Sequence, residues 1–405
     1  MLNISKEKVI GFLDAITEWC VYVLIVAVTF SNSIVEIVST VMIVAWILGL
    51  VLKNDLKKLM FPVAFMLLAY FVWVLLSCFN SAHSSESFRG IFKALQYSLV
   101  FMAAAMMVWT PAKLKKFLFF VIGAILLVGV DGIFQYVTGI DFIRHRTLMP
   151  EDYLRRISAS FIHPNDFGAY LMVMASLLVS MLVSSKNGMK RTVLFLAAFI
   201  LVAGCLFLTR SRGSWMSFGL AFITVGMLKG KKIAVLFVVI LATVFILMPS
   251  SSRQRIYDTA NFKSGTTWER VQIWQGNVNM IKVHPVLGFG VNTYSKHFPE
   301  YKPAEYPDDR YAHNCYLQMA SEIGIPGALL FLAFIFMALF ASFKRIVSLP
   351  DGTRKSLAVG LFGGTLGFVL NSAVDTHLYS LTLAVFFYIL LGSLFSLSGN
   401  FREEI

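Results

Sequence analysis

Residues 192–208, TVLFLAAFILVAGCLFL, contain no charged side chain, and Thr209-Arg210-Ser211-Arg212 follows them directly. A run of this length approaches the roughly 20 residues that a helix needs to cross the hydrocarbon core of a bilayer. The pattern therefore predicts an all-α polytopic membrane protein with about twelve transmembrane helices. The other apolar runs, each bounded by charged clusters, are 15–31, 34–52, 61–79, 91–109, 117–137, 167–183, 215–228, 233–248, 326–343, 356–372 and 378–398.

The composition of the 405-residue chain agrees with this prediction. Apolar residues make up 58% and charged residues only 14%, whereas soluble domains carry about 25% charged residues. A water-soluble enzyme and a disordered protein are therefore excluded. The four cysteines form no CxxC pair, so neither a disulfide framework nor a zinc site is indicated. The net charge of +13 lies largely in loops between apolar runs, so no nucleic-acid partner is expected.

The basic residues of the short connections predict the orientation in the membrane. They occur at every alternate connection on the N-terminal side, which predicts that both termini are cytoplasmic. Lysines predominate on that side, where anionic lipid head groups attract them, and arginines predominate on the opposite side. Topology does not require these outer arginines, and arginine holds phosphate oxygens bidentately. We therefore expect an anionic, phosphate-bearing ligand outside, with ion-paired loop residues or head-group anchors as the alternative.

Three regions follow from this organisation. Residues 1–248 are predicted to form transmembrane helices 1 to 9, and 249–312 a long periplasmic loop. Residues 313–405 are predicted to form a periplasmic motif helix followed by transmembrane helices 10 to 12.

Two outer connections are rich in arginine. Segment 139–166 contains Arg155 and Arg156, and the turn after the quoted run contains Arg210 and Arg212. A charge in lipid costs roughly 2.5–3.5 kcal/mol on insertion scales, so such residues usually have a partner or a task. We interpret Arg210 and Arg212 as a phosphate clamp, with snorkelling to lipid head groups as the alternative.

The long periplasmic loop contains a predicted amphipathic helix near 267–283. Residues 266–269, TTWE, fit a capping box at its start. Arg270 borders the apolar face of the helix and is expected to point at the membrane interface. The helix should lie on the membrane or dock over the bundle. Its apolar stripe is formed by Val271, Trp274, Val278 and Ile281.

The last outer segment begins with His313, at the start of another predicted helix. Asn314, Gln318 and Glu322 follow at i, i+4 and i+8 and therefore share one face. The helix is expected to break at Gly324-Ile325-Pro326-Gly327 and to resume as the tenth span.

A carboxylate is expected to orient the imidazole of His313, although a simple loop histidine is the alternative. Glu322 lies about half a turn away on a regular helix, so Asp375, at the outer end of the eleventh span, is the better candidate. Asp308-Asp309 is an adjacent acidic pair in the outer loops, and we interpret it as solvated. No metal site and no cofactor are therefore expected.

These motifs resemble the O-antigen ligase family, in the larger group that includes O-antigen polymerases and bacterial O-oligosaccharyltransferases. The family pattern of His-Asn, nine residues and Gly-x-x-Gly is met at His313-Asn314 and at Gly324 and Gly327. The resemblance covers about residues 120–400. Other similar stretches are Phe134-Gln135-Tyr136, Pro164-Asn165, Ser211-Arg212-Gly213, His284-Pro285 and Gly290-Val291-Asn292.

The resemblance implies a fold like that of membrane-embedded lipid-linked-sugar glycosyltransferases. It implies transfer of a glycan from undecaprenyl pyrophosphate to a lipid A-core oligosaccharide, giving lipopolysaccharide. The reaction would occur at the periplasmic face of the bacterial inner membrane, without metal or cofactor. The motif histidine corresponds to His313, and the pyrophosphate-binding arginines correspond to Arg210 or Arg212 and to Arg270. Arg155 and Arg156 correspond more loosely.

Two alternatives stay open at this point. An O-antigen or exopolysaccharide polymerase, or a protein O-oligosaccharyltransferase, would share the pyrophosphate site and differ only in the acceptor. A transporter or flippase would need binding residues at the bilayer midplane and matching interrupted helices. Asp131 is the main charge within the spans, and the glycines in 363–367 could loosen a helix. No matching half-repeat appears, so transport is disfavoured.

Overall fold

The computed structural model describes residues 5–148, 155–184, 188–262, 265–303 and 311–399. Within these ranges the chain forms fifteen α-helices and no β-strand, which confirms the predicted all-α fold. A short 3-10 helix, His377–Tyr379, connects the last two helices. The helices are α1 Lys6–Ala27, α2 Asn32–Lys53, α3 Pro62–Ser77, α4 Ser84–Ala105, α5 Pro111–Thr138, α6 Pro164–Leu182, α7 Met189–Leu208, α8 Arg212–Lys229, α9 Lys231–Leu247, α10 Ser250–Tyr257, α11 Gly265–Val283, α12 Tyr294–Tyr301, α13 Cys315–Ser348, α14 Thr353–Asn371 and α15 Leu381–Gly399.

Each of the twelve predicted apolar runs falls on one of these helices. Within the described ranges, eight helices are long and apolar enough to cross a membrane, or nine if the bent pair that begins with α9 is one span. The eight are α1, α2, α3, α5, α6, α7, α13 and α15. The chain is thus a polytopic helical protein, and the count of twelve spans stays a prediction.

Glycine allows the buried helices of the bundle to pack closely. Nearly all residues of α6 and α15 are buried, and α14 packs against α6 and α8. Gly360 faces Leu177 and Ser180 of α6, and Gly364 faces Val173, at distances that leave no room for a side chain. Small residues permit such close approach between membrane helices. The glycines of 363–367 therefore lie in a packed interface within α14 and do not interrupt the helix.

The predicted break in the motif helix is confirmed at Gly324, whose φ of 75° and ψ of 168° interrupt α13. The break brings the backbone of α13 against the turn that follows α11. The Ile325 amide donates to the Pro285 carbonyl at 2.9 Å, and the Gly290 amide donates to the Glu322 carbonyl at 2.8 Å. A Cβ at residue 324 would collide with the Val286 carbonyl. The second motif glycine, Gly327, is equally restricted by the side chains of Ile323 and Trp73.

Gly324→Ala is expected to lower the free energy of unfolding by roughly 3 kcal/mol, because it combines backbone strain with a backbone collision. The measurement is a thermal or denaturant unfolding curve of the detergent-solubilised protein. Gly204→Ala is the matched control, since a Cβ there meets nothing within 4 Å and alanine favours a helix. Equal stability of the two variants would contradict this role of Gly324.

Helix α11, Gly265–Val283, lies where a helix is expected near 267–283, but it buries a different face from the predicted one. Its buried face consists of Ile273, Gly276, Asn277 and Met280, and it packs on α13. The predicted stripe of Val271, Trp274, Val278 and Ile281 is only half-buried, because the docking surface is α13. The Thr266 hydroxyl accepts a hydrogen bond from Arg212, and the capping box stays a prediction.

Candidate active site

One cavity of about 230 Å³ collects side chains from five connections at one end of the bundle. These connections precede α6, join α7 to α8, follow α9, precede α13 and follow α14. Two carboxylates, Glu269 and Asp375, also line the cavity. The arginines outnumber them, so the cavity suits an anion. The basic side chains in the lining are those of Arg156, Arg210, Arg212, Arg255, Arg270 and His313.

Arg210 occupies the sharp turn between α7 and α8. Its φ of 54° is in the left-handed region, which is uncommon for a residue other than glycine and is often found at functional sites. The guanidinium lies over the ring of Phe207 at 5.0 Å, and Nη1 donates to Ser252 Oγ at 2.7 Å. The Arg210 carbonyl accepts from Arg255 Nη2 at 3.1 Å. The turn is thus tied to α10, which brings Arg255 into the cavity.

Arg212 and Arg255 are in direct contact within the cavity. Arg212 Nη1 donates to the Arg255 carbonyl at 3.2 Å. The Nε of Arg255 is buried and has no partner among the described atoms. Burial lowers the pKa of Arg212, and the positive charges of Arg255 and Arg270 lower it further, against a weaker opposing effect of Asp258. A bound anion would relieve this repulsion and accept from the buried donors.

His313 is held by Asp375, as the sequence predicts. Nδ1 of His313 lies 3.2 Å from Asp375 Oδ1, and the histidine has a φ of 47°. The other carboxylate oxygen accepts from Asn165 Nδ2 at 2.7 Å and lies 3.7 Å from Arg270 Nη2. Burial raises the pKa of Asp375, but the hydrogen bond to His313 and the positive charges of His377, Arg270 and His313 outweigh it and hold that pKa well below its usual value. Asp375 is therefore an anion beside the imidazole.

The neighbours Arg155 and Arg156 have different surroundings. Arg156 donates to Asn165 Oδ1 at 2.7 Å and to the Thr209 carbonyl at 2.9 Å, and it lines the cavity. Arg155 has a φ of 48°, and its guanidinium lies over the Tyr136 ring at 5.5 Å. It is exposed and outside the cavity lining. The left-handed backbone at Arg155 thus separates two side chains that the sequence groups together.

The remaining predicted residues support the position of His313 from outside the cavity. Asn314 caps α13, and its Oδ1 accepts from the amides of Tyr316 and Leu317 at 3.0 Å each. Gln318 Oε1 accepts from the Ala312 amide at 3.1 Å. The residues on either side of His313 are therefore fixed to the first turns of α13. Gly324 and Gly327 lie farther along α13, where they permit the break in the helix.

Several cavity residues were not predicted as site residues, among them Arg255, Asn165 and Asn371. Arg255 lies in α10, a short polar helix within the long loop. Because it is an arginine of an outer loop, the same argument that identified Arg210 and Arg212 could have identified it. Asn165 was noted only as part of a family-like stretch, and Asn371 had no recognisable signal. Among the described residues, no group of three or more His, Cys, Asp or Glu side chains could hold a metal ion. The pair Asp308-Asp309 lies outside the described residues.

Residues 197–332 match the family model described as O-antigen ligase. This part of the chain is thus similar to the O-antigen ligase domain. The family resemblance predicted from the motifs is thereby confirmed. The matched segment extends from α7 into α13 and includes Arg210, Arg212, Arg270 and His313. The match supports an O-antigen ligase or polymerase type of glycosyltransferase, and with the apolar helices it indicates a multi-pass membrane protein.

A chain of one solved structure is also similar to this protein. Its title is "Structural coordination of polymerization and crosslinking by a peptidoglycan synthase complex". The two chains are 14% identical, with a TM-score of 0.48, and the match covers 84% of this chain and 97% of that one. No curated protein matches the sequence.

Proposed function

We propose that the protein transfers a glycan from undecaprenyl pyrophosphate to a hydroxyl group of a lipid A-core oligosaccharide or similar acceptor. The reaction takes place at the periplasmic face of the bacterial inner membrane, and both termini are cytoplasmic. One observation carries the proposal: five arginines and the His313–Asp375 pair line the same cavity. The cavity thus combines a site for a diphosphate with a candidate base.

The arginines stabilise the leaving group. As the bond between the anomeric carbon and the pyrophosphate oxygen breaks, negative charge grows on the pyrophosphate. Arg210, Arg212 and Arg270 bind its oxygens, and Arg156 and Arg255 extend the same positive surface. Donors fixed where charge develops lower the barrier, because they need no reorganisation during the reaction. Guanidinium groups are suited to this task since they stay charged and form paired hydrogen bonds to phosphate.

His313 acts as the general base. With Nδ1–H donated to Asp375, Nε2 is the basic nitrogen of the ring. The acceptor oxygen forms a bond to the anomeric carbon while its proton passes to the imidazole and the pyrophosphate leaves. A direct attack of this kind inverts the configuration of the anomeric carbon. Asp375 stabilises the imidazolium that forms and keeps the ring oriented.

The surroundings of the cavity support a lipid-linked donor. Among the residues of α9 only Phe237 is buried, and the helix packs mainly against α8. Its exposed apolar side chains face the space that lipid would fill, and its C-terminal end is followed directly by α10, which carries Arg255. A polyprenyl chain can lie along such a surface while its diphosphate enters the cavity.

Chelation is expected to leave the transfer rate unchanged, because the arginines supply the positive charge that a divalent cation provides in other phosphate-transfer enzymes. The measurement is glycan transfer by the purified protein, with and without EDTA, from a polyprenyl-pyrophosphate glycan. A metal-dependent enzyme assayed in the same detergent controls for effective chelation. Loss of activity with EDTA and recovery with added Mg²⁺ would contradict the arginine mechanism.

The acceptor distinguishes this proposal from its closest alternatives. The same assay with lipid A-core, free glycan and peptide acceptors separates ligase from polymerase and from protein O-oligosaccharyltransferase. A lipid-core-linked product is expected. Movement of the lipid-linked glycan across liposomes without formation of a glycosidic bond would instead support a transporter or flippase.

A further inference from the structure

A second histidine–carboxylate pair lies beside the His313–Asp375 pair. His377 begins the short 3-10 helix before α15, and its side chain is 1% exposed. Nδ1 of His377 lies 3.1 Å from Asp166 Oδ1. The Nε2 atom is buried and has no partner among the described atoms. Asp166 is therefore the hydrogen-bonding anchor of this ring.

Two consecutive residues at the start of α6 hold the segment that carries Asp375. Asn165 Nδ2 donates to Asp375 Oδ2 at 2.7 Å, and the next side chain, Asp166, binds His377. The two bonds fix the segment at both of its ends, because Asp375 and His377 are two residues apart. The Thr376 amide donates to Asp375 Oδ1 at 2.9 Å, which sets the carboxylate relative to the same segment. The orientation of Asp375, and hence of His313, therefore depends on α6.

Electrostatics couple the two pairs. Burial lowers the pKa of His377, but the hydrogen bond to Asp166 and the negative charges of Asp375 and Asp166 outweigh it and raise that pKa above its usual value. The positive charge of His377 in turn helps to keep the pKa of Asp375 low. The groups that face His377 are Asp166 of α6, Asp375 of its own segment, Arg270 of α11 and the ring of Phe368 of α14.

We propose that Asp166 and His377 are positioning residues that hold Asp375 so that it keeps the His313 imidazole oriented towards the acceptor. The inference rests on the proposed glycan transfer. Neither residue lines the arginine cavity, so their effect on the reaction passes through Asp375. Their contribution should therefore appear in kcat and in the pH dependence of the rate, and much less in KM for the donor.

His377→Leu removes both the hydrogen bond to Asp166 and the charge. We expect kcat to fall on the order of 10- to 100-fold, since small displacements of catalytic groups and loss of supporting hydrogen bonds have effects of this size. KM for the donor should change much less. Gln96→Leu is the matched control, because it breaks a side-chain hydrogen bond to Ser39 between α4 and α2, helices that contribute nothing to the cavity.

His377→Asn keeps a donor at the position of Nδ1 but cannot carry a charge. It should therefore restore kcat to within a few-fold of the wild-type value. The acid limb of its pH–rate profile should lie at higher pH. Without the positive charge of His377, Asp166 and Asp375 stabilise the protonated imidazole of His313 more strongly, and the base is lost sooner as the pH falls. A residue with a merely structural role would not move this limb.

The outcomes separate the two proposals. An inactive wild type overturns the proposed function itself, and full activity in His313→Ala overturns the assignment of His313 as the base, on which the positioning role depends. With an active wild type, unchanged kcat in His377→Leu overturns the positioning role, and so does an equal loss in His377→Leu and His377→Asn. Size-exclusion profiles and melting curves report folding. Should His377→Leu not fold, an unshifted acid limb in His377→Asn overturns the inference.

Discussion

The His313→Ala variant is expected to lose glycan transfer by roughly 10²–10⁴-fold, the usual contribution of a general base. The loss should appear in kcat, because the arginines that bind the pyrophosphate stay in place. The side chain of His313 is one-third exposed, at 33%, so its removal leaves no large buried void. The measurement is single-turnover transfer from a polyprenyl-pyrophosphate glycan to an acceptor, together with the melting temperature of the detergent-solubilised protein.

His145→Ala provides the control for this experiment. His145 is an exposed histidine of the connection before α6, and it also has a positive φ, 56°. It lies outside the lining of the arginine cavity. It should therefore retain wild-type transfer. Wild-type transfer by His313→Ala in a folded protein would end the assignment of His313 as the base.

Arg212→Lys and Arg270→Lys are expected to lower kcat/KM on the order of 10- to 100-fold. A hydrogen bond to a charged group contributes about 1.5–3 kcal/mol, and lysine keeps the charge but loses the planar fork. Arg212 already uses two of its nitrogens to bind Thr266 and the Arg255 carbonyl, so lysine also loses the support that orients the guanidinium. The measurement is the dependence of the initial rate on donor concentration.

The adjacent arginines offer a matched pair for the same test. Arg156→Lys should impair transfer, because Arg156 lines the cavity and binds Asn165. Arg155→Lys should not, because Arg155 packs on Tyr136 outside the cavity. Equal transfer by the two variants would contradict a specific role for the Arg156 guanidinium inside the cavity.

Much of the fold follows from the sequence because apolar length is a local property. Each of the twelve apolar runs became one helix, and the break at Gly324 followed from glycine and proline in the motif. The buried face of α11 is shifted by about one residue from the predicted apolar stripe. It depends on contact with α13 and not on the local sequence pattern. Whether all twelve helices span the membrane depends on how polar segments such as the start of α4 are accommodated.

The candidate site could be predicted only where residue type carries the signal. Placing an arginine near lipid costs free energy, so an arginine in an outer connection indicates a functional role. This argument identified Arg210, Arg212 and Arg270 from the sequence. Arg155 and Arg156 could not be separated, because a single left-handed residue decides where each side chain points.

Two other neighbours of Asp375, Asn165 and His377, were beyond sequence analysis. Asn165 lies 210 residues before Asp375 in the chain and donates to its carboxylate, whereas His377 acts on it through its positive charge. An amide or a single buried histidine has no periodic pattern of its own, so only the packing of α6 against the segment after α14 reveals these contacts.

The most direct test of the central claim is a structure of the protein with a polyprenyl-pyrophosphate donor bound in lipid nanodiscs. We expect the diphosphate between the guanidinium groups of Arg210, Arg212 and Arg270, with the anomeric carbon facing His313 and the polyprenyl chain reaching the lipid. Density for the diphosphate at any other site, with the arginine cavity empty and His313 remote from the sugar, would contradict the account.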